Sequence, residues 1–184
     1  MVRLNRKDTT AFLSDLLISD RLSGRGKYWA SEVSIDYRTV NVRRVDFMQF
    51  EPNGVVYQSD IEKGTFTCYE VKSCREDVFS GNGLNFIGEK NYIVTTMECY
   101  KSIQPDMRSG RLWNHIKECC PEASPHFGII VPVPWSFKPE DEYENPTELN
   151  RDIAWELKVI YPCRQGGRRR STTELLFCML RSGK

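Results

Sequence analysis

The chain has 184 residues, 40% hydrophobic and 28% charged, with 26 Lys and Arg against 25 Asp and Glu. That length suits one domain with a sizeable core, and an aromatic content of 11% with 12 Gly and 9 Pro excludes a disordered, collagenous or low-complexity chain. A formal charge of +1 excludes nucleic-acid binding by whole-molecule electrostatics, so any phosphate-binding surface has to be local.

No run reaches the roughly 18 apolar residues that a membrane-spanning helix needs. The start, Met1 to Asp8, has neither the apolar stretch nor the small-residue cleavage site of a signal peptide. A cytoplasmic protein with no membrane association is expected. The 7 cysteines are an odd number without a Cys-x-x-Cys pair, which predicts reduced thiols rather than a disulfide framework.

In chain order, Thr9 or Thr10 is placed to cap a helix with Phe12, Leu13, Leu16 and Leu17 on one stripe, ending near Gly24 to Gly26. Strand-like runs follow at 28–35, 40–50 and 64–72, with a turn at Pro52-Asn53-Gly54 and a polar stretch to Lys63 before the third. Residues 73–79 read as a helical turn or two, stopped by Gly81-Asn82-Gly83. A short buried strand is predicted at 92–96, a helix at 108–119, and an apolar strand at 127–133 that Pro132 and Pro134 end. The segment 139–156 is acidic and reads as a solvated loop or helix start. A last strand spans 155–161, and a helix capped by Ser171 or Thr172 spans 172–180. Strands interleaved with helices predict an α/β or α+β fold with a mixed sheet flanked by helices. The whole chain, 1–184, reads as a single domain with a basic C-terminal loop and helix at 163–184, where Arg164, Arg168, Arg169, Arg170, Arg181 and Lys184 face Glu174 alone.

The informative pattern is Asp46 on the second strand and Glu70-Val71-Lys72 on the third. Alternation puts Glu70 and Lys72 on one face of their strand. If the second and third strands pair, Asp46 comes beside Glu70, and two converging carboxylates suit Mg²⁺. An ammonium two residues on would hold an attacking water and offset charge on phosphoryl oxygens. Asp46 lies in an otherwise apolar run, Val45-Asp46-Phe47-Met48, where an unpaired charge is costly. Glu32 on the first strand is a candidate third carboxylate. Ser73 opens a predicted helix directly after Lys72, whose N-terminus and hydroxyl would favour phosphate. The alternative is an ordinary strand face carrying a cross-strand ion pair.

These residues resemble the D…(D/E)-x-K signature of the PD-(D/E)XK nuclease superfamily. The run Arg43-Arg44-Val45-Asp46-Phe47, then Tyr69-Glu70-Val71-Lys72-Ser73 and Asp77, is similar to the branch that contains MmcB-like DNA repair proteins and related phage proteins. The likeness covers about residues 28–96, with Val45 where the signature's name has proline. It implies a restriction-endonuclease-like core, Mg²⁺ or Mn²⁺ as cofactor, and a metal-dependent DNA endonuclease that hydrolyses phosphodiester bonds. Carried over by position, Asp46 and Glu70 would bind metal, with Glu32 a weaker further ligand, and Lys72 would position the water. Some relatives of this kind bind without cutting, so a catalytically inactive DNA- or protein-binding module is the alternative.

Arg44 shares strand parity with Asp46 and is placed to reach a phosphate. Arg168, Arg169 and Arg170, after Gly166-Gly167, read as a flexible basic loop for the DNA backbone. Asn85, Glu89 and Lys90 are candidates to border a substrate groove. His115 and His126 have no partner at metal or triad spacing, and the tryptophans read as core. Near-neutral charge argues against tight nonspecific binding by a monomer, which leaves room for a homodimer or for a phage- or repair-protein partner alongside DNA.

Overall fold

The computed structural model describes residues 4–182; the first three residues and Lys184, which entered the sequence reading, lie outside the described residues. The fold is α+β, with a six-stranded mixed sheet flanked by helices. The first helix, α1 (Arg6–Leu17), is capped by Asn5, whose side chain accepts the Asp8 N–H, rather than by Thr9 or Thr10. Thr9 is buried inside the helix, and the Thr10 hydroxyl donates to the Arg6 carbonyl. One π-helical turn (Ile18–Leu22) continues it.

The strands are β1 (Tyr28–Ile35), β2 (Arg43–Glu51), β3 (Thr65–Lys72), β4 (Lys90–Thr95), β5 (Gly128–Pro134) and β6 (Trp155–Tyr161). They lie in sequence order, with β3, β4 and β5 parallel at the centre and antiparallel neighbours outside them. Short helices α2 (Gln58–Glu62) and α3 (Arg75–Val78) flank β3. The helix α4 (Met97–Arg108) precedes α5 (Arg111–Cys119), then come α6 (Pro139–Glu144) and α7 (Thr172–Ser182). The sequence pattern predicts one helix at 108–119. That helix forms as α5, starting at Arg111 because Gly110 before it adopts a left-handed φ of 77° that suits glycine, whereas α4 ahead of it has no counterpart among the predicted elements. Pro105 sits inside α4.

Each face of the sheet has its own core. Phe12, Leu13 and Leu17 of α1 pack on Phe47, Tyr69, Val71, Val94, Ile130 and Leu157. The other face packs Met48, Phe66, Cys68 and Ile93 against α4, α5 and α7 through Ile103, Leu112, Ile116 and Leu175. Side chains also cap both sheet edges. Arg21 donates to the Leu157 carbonyl (2.6 Å) and Asp20 accepts the Leu157 N–H (2.9 Å) on β6. On β1, Arg181 donates to the Ser34 carbonyl (2.6 Å) and Ser182 accepts the Ser34 N–H (3.3 Å). Such caps blunt edge-to-edge pairing. No helix among the described residues is long and apolar enough to cross a membrane. All seven cysteines are free thiols.

Candidate metal and phosphodiester site

The site arises where two paired strands part. The β2–β3 ladder runs from Glu51–Thr65 to Phe47–Tyr69. One step further, the same register sets Asp46 opposite Glu70, but the backbones have separated there. Buried backbone groups still need partners, and side chains supply them. Asp46 Oδ2 accepts the Val71 N–H at 2.8 Å. The Asn85 side-chain amide donates to the Arg44 carbonyl at 2.8 Å. The gap between the strands is therefore lined by the carboxylates themselves.

Glu70 is fully buried. Its Oε1 accepts the Asn85 N–H at 3.0 Å, and its Oε2 has no hydrogen-bond partner. Burial, reinforced by the neighbouring Asp46 charge, pushes the Glu70 carboxyl up to about 8. Burial also lifts Asp46 above its usual range, against the downward pull of the Val71 amide and the Lys72 and Arg44 charges. Lys72, on the same face as Glu70 and only 5% exposed, donates to the Asn82 carbonyl at 2.7 Å.

The segment 81–85 closes over these groups. It turns through left-handed conformations at Gly81 (φ 79°), Gly83 (φ 80°) and Leu84 (φ 58°). Gly83 approaches so closely that a Cβ there would lie 2.5 Å from Glu70 Oε2 and 2.9 Å from Lys72 Nζ. Only glycine combines that backbone angle with that proximity. The sequence marked Asn85 as a groove border but gave no sign that it grips both strands. Glu89 holds Arg168 and accepts the Phe66 N–H, and Lys90 begins β4.

Glu32 does not join the pair. It stands between the Ser31–Phe47 and Val33–Val45 pairs, level with Asp46, but its φ of 55° interrupts the alternation of β1. Its carboxylate, more than half exposed, pairs instead with Arg44 Nε at 2.6 Å. Among the described residues no group of three or more His, Cys, Asp and Glu converges, so the carboxylate donors here are Asp46 and Glu70.

Ser73 also differs from expectation. Its N–H and hydroxyl both donate to Asp77 Oδ2 (3.0 and 3.1 Å), and α3 has four residues with Glu76 and Asp77 in its first turn. That terminus is already occupied by carboxylates. The run 168–170 is not a loose basic loop. Arg168 binds Glu89 and the Gly64 carbonyl and stacks on Phe66; Arg170 binds Asp36, Glu122 and Glu174. Arg169 alone of the three is exposed.

The donor set fits a hard divalent cation: two adjacent carboxylates, one of them with a buried, partnerless oxygen. Mg²⁺ takes one or two protein carboxylates and completes its shell with water and phosphate oxygens. Comparison with known protein families, curated proteins and solved structures found no match for this chain.

Proposed function

We propose that the chain is a metal-dependent DNA endonuclease of the PD-(D/E)XK type, with Asp46 and Glu70 holding Mg²⁺ or Mn²⁺ and Lys72 assisting the attacking water. The observation that carries this reading is the buried Glu70–Asp46 pair, whose partnerless oxygen a divalent cation would satisfy. When bound, the cation would offset charge on the phosphoryl oxygens and activate water for attack. The protein's own groups do the positioning. The Val71 N–H fixes Asp46, and the Asn85 N–H fixes Glu70. Lys72 carries three donors, one of them spent on the Asn82 carbonyl, which leaves its ammonium able to orient a water or a phosphoryl oxygen. The segment 81–85 shields these groups from bulk water, which strengthens every charge interaction beneath it. Substrate entry requires that segment to lift.

One observation favours a second reading, a nuclease-like module that binds DNA or a protein without cutting. Glu70 is wholly buried and Lys72 nearly so, beneath a segment seated on both. A nicking assay in Mg²⁺ or Mn²⁺ with wild type, Glu70→Gln and Lys72→Ala separates the two. The endonuclease reading expects cleavage by wild type and its loss by at least about 100-fold, on the order of 3 kcal/mol in barrier, in both folded variants. DNA binding by wild type without cleavage overturns it in favour of the second.

A further inference from the structure

A second group of charges lies beside this site, on the side of α3 and α5. Asp106, 6% exposed, sits in the last turn of α4, where the helix dipole disfavours an acid. It is held there by two guanidiniums. Arg75 Nη2 lies 2.9 Å from Oδ2 and Arg111 Nη1 lies 3.5 Å from Oδ1. Both guanidiniums also contact one ring, with Arg75 5.0 Å and Arg111 5.4 Å from the Phe79 centroid. His115 packs on that ring at 5.0 Å. One carboxylate serves two cations, so the Arg75–Asp106–Arg111 trio has a formal charge of +1, with the exposed Glu76 acting on Arg75 from outside it. Arg111 leaves 67% of its side chain in solvent and Arg75 leaves 36%. Arg108 adds an exposed cation at the same helix junction.

The chain ties this group to the site. Arg75 follows Lys72 by three positions, and Phe79 leads into the segment 81–85 that covers Glu70. Cys119 lies 3.6 Å from His115 Nε2 and within electrostatic reach of both Lys72 and Glu70. We propose that Arg75 and Arg111, fixed in place by Asp106 and Phe79, contact the phosphodiester backbone of a nucleic acid at the mouth of the Asp46–Glu70 site. The inference rests on the reading of that site as one for phosphodiesters. It deepens that reading by placing the backbone contact away from the arginine run 168–170. Guanidiniums suit this task because their planar donors meet phosphate oxygens two at a time. A pair already ordered by a buried acid loses little rotamer freedom on binding.

The test measures binding of fluorescein-labelled duplex DNA and duplex RNA of one sequence to the full chain over a salt series, in chelator so that nothing is cut. Wild type is compared with Arg111→Gln, Arg75→Gln and, as a charge control, Arg151→Gln, whose exposed side chain pairs with Asp15. Thermal unfolding of each variant reports folding. Loss of one phosphate contact lowers the slope of log affinity against log salt by about 0.9 on duplex DNA and weakens binding by about 3- to 10-fold. Arg111→Gln is expected to show both and Arg151→Gln neither. The duplex on which the slope falls identifies the nucleic acid. An unchanged slope in Arg111→Gln, an equal fall in Arg151→Gln, or a wild type that binds neither duplex overturns the inference. Nicking of the same DNA in Mn²⁺ is read separately. Cleavage with an unchanged Arg111→Gln slope sinks this inference alone, and an Arg111-dependent slope without cleavage sinks the hydrolytic reading alone.

Discussion

Asp36, Glu122 and Glu174 close around Arg170, with Arg43 beside them, whereas Asp46 and Glu70 feel the Lys72 charge only through space, beneath Gly83. Asp36 and Glu122 shift in the direction opposite to Asp46 and Glu70. Hydrogen bonds from Arg170 and then Arg43 pull Asp36 below its usual value against the cost of burial. For Glu122 burial is the largest influence, yet the same two arginines outweigh it and the net shift is down. Arg170 is held more firmly charged than usual by Asp36 first and Glu122 next. In the site, burial wins and both acids rise. A half-buried cluster in which every acid touches a guanidinium ties loops together. A buried pair whose acids touch no cation, one of them with a partnerless oxygen, stores an unmet need for positive charge, and such groups concentrate at functional sites.

The largest expected effect follows from that unmet need. Glu70 is raised from 4.5 to about 8 on folding. A carboxyl raised in the folded state favours the native form below the unfolded value and loses that advantage as pH climbs through the folded one. In chelator, wild type is therefore expected to lose stability, on the order of a few kcal/mol, as pH rises from about 4.5 to about 8. Glu70→Gln removes this dependence, and saturating Mn²⁺ reverses the loss in wild type but not in the variant. Unfolding curves across that pH range, with and without Mn²⁺, check it. The Arg170 cluster has the opposite sign. Asp36 and Glu122 stabilise above their unfolded values and fail only in acid.

A smaller effect is expected from breaking the Arg170 cluster. Arg170→Ala leaves Asp36 and Glu122 without their main partner at partly buried positions and is expected to cost about 2 kcal/mol. Cleavage per folded molecule is expected to be unchanged. Denaturant unfolding beside a nicking assay measures both. A loss of cleavage larger than the loss of folded protein would place the arginine run back in the nucleic-acid path.

The sheet was legible because its strands are short β-branched and aromatic runs, and 28–35 and 155–161 fall where the pattern puts them. Strand parity puts Glu70 and Lys72 on one face, but Asp46 comes beside Glu70 only because the second and third strands pair, in a register that the sequence does not state. What escaped the sequence depends on distant partners or unusual backbone. In α4 the apolar stripe is carried by Met97, Cys99 and Ile103, and Pro105 reads as a break although the helix runs through it. The neutralisation of Arg168 and Arg170 comes from Glu89, Glu122 and Asp36, acids 48 to 134 residues away. The grip of Asn85 on both strands appears only once three left-handed turns bring the segment 81–85 back over β3.

The least expected effect belongs to Glu32, and its smallness is the informative outcome. A negative charge level with Asp46 in the β1–β2 register would be a third ligand if its backbone were extended, because the side chains would then share a face. The φ of 55° turns the carboxylate out to Arg44, where both side chains are more than half exposed. An ion pair so placed contributes about 0–1 kcal/mol, and its loss leaves the site's own contacts intact. Glu32→Gln is accordingly expected to shift stability by less than about 0.5 kcal/mol. Calorimetric titration is expected to show its Mn²⁺ affinity within about twofold of wild type, since a ligand would carry a far larger share. A tenfold loss would mean that β1 rearranges on binding and delivers Glu32 to the metal, so that β1, β2 and β3 meet in one site after all.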